Sequence, residues 1–274
     1  MRKFIAEEQQ TIRDFTDAHY PQGSFAFSRL LRESDMRING VRVKENVSLA
    51  PGDEVTYYTT AAEEAKPFYR EIYADDNVLI ADKFPGVQSE ALFFALRDNG
   101  ILPVHRLDRN TAGLLIFAKN PAAEQDLLRA FREGRAEKIY QAICFHPFQK
   151  QNEELTAYLK KDEKTAHVTI FSKPTAGASR IRTDYRVKEA HGEYSLVEIT
   201  LHTGKTHQIR AHMAYIGHPV AGDEKYGDRA LNKKYHLRRQ LLVAKFLCLH
   251  TQGTLAYLAE KKFSSHFRAE MPNI

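Results

Sequence analysis

Residues 105–119, HRLDRNTAGLLIFAK, place one carboxylate, Asp108, between Arg106 and Arg109 immediately before an apolar run. Nearby positive charge favours the ionised form of an acid, and an ionised carboxylate held in place can act as a nucleophile or as a base. Gly113 permits a tight turn before the run continues as a core strand. The pattern therefore predicts a reactive carboxylate at the mouth of a strand. The alternative is an ordinary surface turn on which Asp108 pairs with its neighbouring arginines.

A second segment, TGKTHQIRAHMAYIGHPVAGDEKYG at 203–227, predicts a helix that begins near Thr206. Its first residues are typical of a strand end, a turn and a helix N-cap. Ile209 and Met213 lie four residues apart, as they would on the buried face of a helix. Arg210 falls on a different face, where it is available to a carboxylate.

The start of this helix is also a candidate binding site for an anion. The first backbone N–H groups of a helix have no partner within it, and the helix dipole favours negative charge there. Lys205, Thr206 and His207 lie at this position. We therefore expect these three residues to contact phosphate groups.

The order of three motifs resembles that of a known enzyme family. HRLDRNTAGLLIFAK is followed by KIYQAICF at 138–145 and then by the segment at 203–227. In order and spacing, the chain closely resembles the RluA-type pseudouridine synthases over roughly residues 70–274. The resemblance implies that family's fold, which is a bent sheet with a central catalytic cleft. It also implies the family's activity, the isomerisation of uridine to pseudouridine in RNA.

The resemblance assigns a role to individual residues of this chain. It implies that Asp108 is the catalytic residue and that Arg210 pairs with it. Tyr140 is implied to lie against the target ring and to help remove its proton. Arg106 is implied to enter the RNA stack when the target base leaves. His105, next to it, is expected to contact the RNA.

The chemistry of the reaction is consistent with these roles. Isomerisation breaks the bond between the sugar and the base nitrogen and rejoins the base through a ring carbon, so we expect no cofactor and no metal. Asp108 could act as a nucleophile or as a base at the sugar 2′ position, and both alternatives stay open. The target base must leave the RNA stack. A planar guanidinium such as that of Arg106 can stack on bases while charged, and Tyr140 offers a ring and a hydroxyl.

The sequence departs from the family pattern in three places. Ala112 stands where serine is common, and Lys205 stands where arginine is common. The segment DKFPGVQSE at 82–90 replaces the usual Asn-Lys-Pro-x-Gly stretch. The third departure concerns a loop that lines the cleft, so it bears on the choice of substrate more than on the chemistry.

The amino-terminal residues have a separate character. Asn39-Gly40 between two short apolar runs is a strong signal of a β-hairpin. Residues 1–62 resemble the S-four-like RNA-binding module that often precedes this catalytic domain, and 67–274 then form the catalytic domain. Residues 61–66, AAEEAK, are the expected linker.

Basic side chains of this amino-terminal module are candidates for binding RNA phosphates. The alternative is a solvated basic face with no ligand. The candidates are Arg29, Arg32, Arg37, Arg42 and Lys44.

Composition agrees with an RNA partner. The chain has 274 residues, a formal net charge of +5 and a pI near 9.0, which suits a polyanion without requiring one. Cys144 and Cys248 each lie in an apolar run, so we expect buried free thiols in a reducing compartment. No apolar leader or membrane span is indicated. We expect a cytoplasmic monomer.

The pattern of elements indicates a mixed α/β (α+β) domain with a largely antiparallel sheet. Asn120-Pro121 predicts a helix that runs to about Arg132. TDYRVKEAHGEYSLVEITLH at 183–202 predicts a hairpin whose second arm alternates apolar and polar residues. LCLHTQGTLAYL at 247–258 has a similar strand-turn-strand pattern.

Two other classes of function compete with this interpretation. A metal hydrolase could use imidazole and carboxylate ligands, although their spacing fits no familiar ligand signature. A non-catalytic RNA-binding scaffold could keep the fold without the reaction. Within the enzyme interpretation, large-subunit ribosomal RNA is favoured over transfer RNA because of the amino-terminal module. The candidate metal ligands are His105, His207, His212, His218 and Asp223.

Overall fold

The computed structural model describes residues 1–20, 23–64, 67–96 and 100–272. The chain divides into an amino-terminal unit, formed by 1–68 and 87–100, and a larger second unit, formed by 69–86 and 101–274. The sequence analysis instead assigned 87–100 to the second domain. The difference arises because a helix within this segment packs against a helix of the first unit.

The amino-terminal unit combines short helices with a four-stranded sheet in the order β1-β6-β3-β4. The predicted hairpin is present, and both Asn39 (φ 49°) and Gly40 (φ 81°) adopt the left-handed conformation that its two-residue turn requires. Its elements are β1 Arg2–Ile5, β2 Gln10–Thr11, α1 Ile12–His19, α2 Ser24–Glu33, β3 Met36–Ile38, β4 Val41–Arg42, β5 Ser48–Leu49, β6 Glu54–Tyr57, α3 Ala61–Glu64 and α4 Ser89–Leu96.

The segment predicted as a linker is partly helical. Its first four residues form α3, and Glu64 accepts hydrogen bonds from Arg2 Nε at 2.9 Å and Thr59 Oγ1 at 2.7 Å. These contacts attach the segment to the first unit. Ala65 and Lys66 lie outside the described residues.

The second unit is built on an eleven-stranded sheet. Nine strands follow the order β13-β12-β14-β15-β11-β16-β10-β8-β7, and β17 and β9 pair with β16 and β10. Among the described strands only β10 and β16 pair in parallel, so the predicted mixed and largely antiparallel architecture is confirmed. Its elements are β7 Tyr69–Ala74, β8 Val78–Lys83, β9 Leu102–Pro103, β10 Ala112–Ala118, α5 Pro121–Arg132, β11 Ala136–Phe145, β12 Asn152–Lys161, β13 Val168–Phe171, β14 Ser179–His191, β15 Tyr194–Leu201, α6 Gln208–Tyr215, α7 Arg229–Lys234, β16 Leu242–Leu249 and β17 Lys262–Ser264.

Local signals determine several of these elements. The Asn120 side chain accepts a hydrogen bond from the Ala123 N–H at 2.9 Å and caps α5, which ends at Arg132 as predicted. Leu127 of this helix is buried in the same apolar cluster as Ile116 of β10. The predicted hairpin of β14 and β15 is also confirmed, with alternating burial along its second arm.

The prediction of a strand-turn-strand at 247–258 is wrong in its second half. β16 is followed by a 3₁₀ helix, Gly253–Leu258. Leu255 and Leu258 are both fully buried, and residues three apart lie on one side of a 3₁₀ helix. The Thr251 hydroxyl donates to the Leu255 carbonyl at 2.7 Å, which stabilises the turn.

Both cysteines are free and lie in strands. Cys144 is buried, as expected, whereas Cys248 is only half-buried. Separately, no helix in the described ranges is long and apolar enough to cross a membrane.

Gly113 is required for a close approach of two strands. Its φ is +111°, and a Cβ built at this position would lie 2.3 Å from the carbonyl oxygen of Ala244 in the parallel neighbour β16. The sequence analysis attributed this glycine to a tight turn. The turn itself lies earlier, where the Thr111 N–H donates to the Asp108 carbonyl at 3.0 Å.

Substitution of this glycine should destabilise the second unit. We expect Gly113→Ala to lower the free energy of unfolding by about 2–5 kcal/mol, because it adds backbone strain and a steric overlap. Gly192→Ala is the matched control: its φ is +65°, but nothing lies within 4 Å of the added Cβ, so it should cost about 1–2 kcal/mol. Urea unfolding followed by circular dichroism measures both. Equal losses would contradict the role given to the close approach.

Candidate active site

Asp108 lies in the loop between β9 and β10, one turn before the strand begins. The turn that carries Asp108 is fixed by Thr111, whose N–H donates to the Asp108 carbonyl. The Thr111 hydroxyl in turn accepts a buried hydrogen bond from Gln240 Nε2 at 2.7 Å. The Asp108 side chain keeps 19% of its surface exposed. A carboxylate is therefore presented at the mouth of the strand, as predicted.

Arg210 of α6 supplies the ion pair to this carboxylate. Its Nη1 lies 2.9 Å from Asp108 Oδ2, across 102 residues of sequence. Of the described side chains, Arg210 alone hydrogen-bonds to Asp108, so Oδ1 has no protein donor there. Arg109 instead donates to the Gly86 carbonyl at 3.2 Å, and Arg106 is exposed. Arg109 thus bonds to the backbone of the neighbouring loop.

A second carboxylate anchors the same guanidinium. Arg210 Nε and Nη2 donate to the two oxygens of Asp223 at 2.7 and 2.9 Å, and the Asp223 side chain is fully buried. The backbone N–H groups of Lys225 and Tyr226 also donate to Asp223 Oδ1, at 2.8 and 3.0 Å. Bidentate pairing of this kind fixes both the position and the orientation of an arginine.

These contacts keep Arg210 and Asp223 charged. Burial alone would raise the pKa of Asp223, but the hydrogen bonds and charge of Arg210 hold that pKa below its usual value. Burial likewise disfavours the charged form of Arg210, yet Asp223 and Asp108 raise its pKa above the ordinary value. One buried cation is therefore shared between two carboxylates.

The loop that carries Asp223 depends on a glycine. Gly222 has a φ of +77°, and a Cβ at this position would lie 2.0 Å from the Arg239 carbonyl oxygen. Asn232 closes the loop, since its Oδ1 accepts from the Gly222 N–H at 2.7 Å and its Nδ2 donates to the Asp223 carbonyl at 3.0 Å. These contacts explain the turn-rich Gly-Asp sequence.

Tyr140 faces the same cleft from β11. The register of β11 against β16 shifts between Ile139 and Tyr140, and such bulges commonly redirect a side chain at a functional site. Tyr140 is 7% exposed. Burial, together with the negative charge of Asp108, raises the pKa of its phenol, which is therefore neutral near pH 7.

The cleft is open to solvent, and the empty space in it and at its mouth amounts to about 330 Å³. Polar, charged and aromatic side chains line it together with leucines. Several polar groups therefore converge on a ligand there, beside apolar surface on which a ring could pack. The lining includes Asp108, Tyr140, Arg210, Lys205, His207, Leu107, Leu201 and Leu242.

The anion-binding site predicted at the start of α6 is only partly available. The helix begins at Gln208, with His207 in the left-handed conformation before it, so Thr206 is not the N-cap. Gln208 Oε1 accepts from the Lys205 N–H at 3.1 Å, which occupies one of the donors. The Lys205 side chain is exposed and Thr206 is half-buried.

His207 lies in the cleft wall. Its Nδ1 is 3.0 Å from the Tyr226 hydroxyl. Burial lowers the pKa of His207. The negative charge of Asp108 raises that pKa, but by too little to cancel the effect of burial. A neutral imidazole can donate or accept a hydrogen bond but adds no positive charge for a phosphate.

His105 is half-buried, and the contacts of its ring lie within the protein. Its Nε2 accepts a hydrogen bond from the Ile116 N–H at 3.1 Å, and its ring stacks on Phe131 at a centroid distance of 4.7 Å. Burial, with the charge of Lys138, lowers its pKa to about 3. The ring is thus used inside the protein to attach the loop to β10 and α5.

The predicted basic residues of the first unit have different surroundings. Arg29 and Arg32 of α2 lie 3.7 and 3.1 Å from Glu33, which offsets part of their charge. Lys44 is exposed beyond β4.

Comparisons with known proteins bear on the family of this chain. A family model described as RNA pseudouridylate synthase matches residues 81–215. Ribosomal large subunit pseudouridine synthase C of Vibrio cholerae is 34% identical over 73% of this chain and 71% of its own length. The chain belongs to the RluA-type RNA pseudouridine synthases. The Escherichia coli protein of the same name is 31% identical over 75% of this chain and 72% of its own length.

A solved structure supports the same assignment. Human RNA pseudouridylate synthase domain containing 1 is 29% identical to this pseudouridine synthase. The two share a TM-score of 0.59 over 67% of this chain and 79% of that one. The predicted pseudouridine synthase fold is therefore confirmed, and the protein is an isomerase that acts on RNA.

The alternative metal site is not assembled in this synthase. Asp223 pairs with Arg210, His212 Nδ1 lies 3.1 Å from Thr183 Oγ1, and His218 stacks on Phe148. Within the described ranges, the one group of potential ligands close enough to hold an ion contains none of the five candidates; it consists of Glu137, Cys248 and His250.

Two residues of the synthase site were missed or misjudged from sequence. Asp223 was considered only as a metal ligand, although its place in a Gly-Asp turn after the Arg210 helix could have indicated an ion pair. Gln208 was not singled out, yet its buried amide makes four hydrogen bonds, two of them from Nε2 to Arg182 O and Thr183 Oγ1. It fixes the start of α6.

Replacement of the anchoring carboxylate should disturb both stability and reaction rate. In Asp223→Asn an amide N–H₂ would face the donors of Arg210, so we expect about 3–5 kcal/mol of destabilisation from the broken buried pair. The single-turnover rate of pseudouridine formation should fall with it. Asp228→Asn is the matched control, because Asp228 caps α7 through an acceptor that asparagine retains. Both variants are measured by urea unfolding and single-turnover kinetics. If Asp223→Asn is as stable and as fast as Asp228→Asn, the anchoring role is contradicted.

Proposed function

We propose that this synthase converts specific uridines of structured RNA, most directly of large-subunit ribosomal RNA, with Asp108 performing the chemistry. The observation that carries the proposal is the Asp108 carboxylate, held at 2.9 Å by Arg210 beside the buried Tyr140. This arrangement presents a carboxylate oxygen to the cleft.

The reaction requires a positioned anion more than a cofactor. The bond between the sugar C1′ and the base N1 breaks, the base turns, C5 bonds to C1′, and the proton on C5 is lost while N1 gains one. No electrons are exchanged with another molecule. We therefore propose that the enzyme acts without a cofactor or a metal. We also propose that it acts as a monomer.

Asp108 could enter this reaction in two ways. As a nucleophile it would form a covalent bond with the sugar or the ring, and as a base it would remove a proton at the 2′ position. In either role Arg210 would keep the carboxylate ionised and oriented. The other oxygen, Oδ1, which has no donor among the described residues, would face the reacting atom.

Tyr140 would contact the target ring. A buried neutral phenol stacks on a base and can donate a hydrogen bond to it. Its raised pKa means that it accepts the C5 proton only as its own proton leaves. We infer that Tyr140 acts together with a second group rather than as a free phenolate.

Access to the cleft would require the target uridine to leave the RNA stack. Arg106 is exposed on the loop two residues before Asp108, where its guanidinium could occupy the space left by the base. Lys205 would contact phosphate near the cleft. The amino-terminal unit would supply further contacts as an S-four-like RNA-binding module.

The choice of RNA rests on the relatives. Both bacterial relatives described above are named for the large ribosomal subunit, which favours ribosomal over transfer RNA. A non-catalytic scaffold is the alternative. Asp108→Ala separates the two, because a scaffold would lose RNA binding with the substitution whereas an enzyme would lose only the reaction.

Pseudouridine mapping of total RNA tests the proposal. In cells that lack this protein we expect one or a few sites to disappear, to return with the intact chain and to stay absent with Asp108→Ala. The purified variant should be slower by about 10³-fold or more, as for loss of a principal catalytic group. Asp76→Ala, at an exposed hairpin tip of the same unit, is the control and should restore every site. Restoration by Asp108→Ala would refute the proposal.

A further inference from the structure

A carboxylate, a thiol and an imidazole meet on one face of the paired strands β11 and β16. Glu137 of β11 lies directly opposite Cys248 of β16, and His250 follows two residues later, so the three side chains leave the sheet on the same side. One potential ligand atom of each lies within 4.8 Å of those of the other two. None of the three is among the described side chains that line the catalytic cleft. The cluster is therefore separate from the reacting groups.

A second carboxylate orients the imidazole of this cluster. His250 Nδ1 lies 2.6 Å from Glu260 Oε1. An ionised carboxylate only accepts hydrogen bonds, so in the neutral ring the proton is on Nδ1 and Nε2 presents its lone pair. Histidines that bind metals almost always donate their other ring N–H to a carboxylate, a backbone carbonyl or a water molecule. The ring of His250 is thus prepared to act as a ligand.

The backbone holds Glu260 beside the end of β16. Its N–H donates to the Leu249 carbonyl at 2.9 Å, and Ala259 forms a parallel bridge with Leu249. Glu260 has a φ of 63°, in the left-handed region that few residues other than glycine adopt. The segment after the 3₁₀ helix therefore returns to the sheet with this carboxylate directed at His250.

The charges around the cluster favour a cation. Among the described residues, neither Glu137 nor Glu260 forms an ion pair with a lysine or an arginine, and the ion-pair partner of Glu260 is His250. Lys262 lies opposite Cys248 on β17, but its Nζ is 4.2 Å from the centre of the Phe246 ring. Two carboxylates therefore come together here, and a divalent cation would compensate their charge.

We propose that Glu137, Cys248 and His250 bind one Zn²⁺ ion, with Glu260 as the outer partner of His250 and a water molecule as the fourth ligand. Zn²⁺ accepts sulfur, nitrogen and oxygen ligands together, whereas Mg²⁺ and Ca²⁺ prefer oxygen alone. Ligand atoms around a tetrahedral Zn²⁺ lie about 3.3–3.8 Å apart, so atoms within 4.8 Å of one another reach this geometry by small side-chain rotations. The thiol releases its proton to solvent on binding.

The ion would have a structural role. It would join β11, the strand that carries Tyr140, to β16. Through His250 and Glu260 it would also hold the segment after the 3₁₀ helix. A ligand that binds only the folded chain stabilises it, so Zn²⁺ should raise the urea midpoint of the unaltered chain and leave that of Cys248→Ser unchanged.

Isothermal titration calorimetry of the full chain, without an affinity tag and freed of metal, with ZnCl₂ tests this site. We expect one Zn²⁺ per chain with a Kd of about 1 µM or below. Cys248→Ser and His250→Ala should each raise Kd by about 100-fold or more, since loss of an outer partner alone costs about 10- to 100-fold.

Two control variants match these changes in residue type. Cys144→Ala removes the other cysteine. His191→Ala removes an exposed histidine that also pairs with a carboxylate, that of Glu189 at 3.1 Å. Both should leave the Kd for Zn²⁺ within about twofold of the unaltered chain.

Three outcomes would overturn the site. The first is a Kd for Zn²⁺ above about 100 µM in the unaltered chain. The second is equally tight binding by Cys248→Ser that circular dichroism shows to be folded. The third uses the unaltered chain alone: a Co²⁺ complex without thiolate-to-metal charge-transfer absorption would show that sulfur is not a ligand. All three leave the proposed reaction intact, because pseudouridine formation should persist in the metal-free chain.

Discussion

The structure of the second unit depends on one buried cation that two carboxylates share. Arg210 could not be buried alone, because an unpaired charge in the interior is strongly unfavourable. Asp223 compensates most of this cost through two hydrogen bonds and is itself held by backbone N–H groups. The remaining donor, Nη1, then has a defined direction, and Asp108 lies at its end.

This constraint links distant parts of the chain to one small volume. The parallel pairing of β10 with β16 sets the strand that follows Asp108, and it is possible only because residue 113 is glycine. Gln208 fixes the start of α6 and therefore the position of Arg210. These contacts position a carboxylate with one oxygen bonded and, among the described residues, no donor to the other, which is the property that the proposed chemistry needs.

Sequence reasoning succeeded where the signal was local. The Asn120 cap, the Asn39-Gly40 hairpin and the strand after Asp108 each follow from neighbouring residues, and the structure contains all three. The long-range pairing of Arg210 with Asp108 was expected only through the family resemblance, and two other contacts were missed. The Gly-Asp turn that follows α6 was not connected with Arg210, and the stacking of His105 depends on Phe131 of α5, which lies outside the motif around His105. The short 3₁₀ helix after β16 was missed because apolar residues there fit a strand equally well.

The measurement that tests the account most directly is the single-turnover rate of an Arg210→Lys variant, with RNA affinity measured in parallel. Lysine keeps the positive charge but cannot donate to Asp223 and Asp108 in the fixed geometry of a guanidinium. The account predicts that the rate falls by about 10²-fold or more, whereas the RNA Kd stays within about twofold of that of the unaltered chain. A rate equal to that of the unaltered chain would show that charge alone is enough and would contradict the central role of the shared guanidinium.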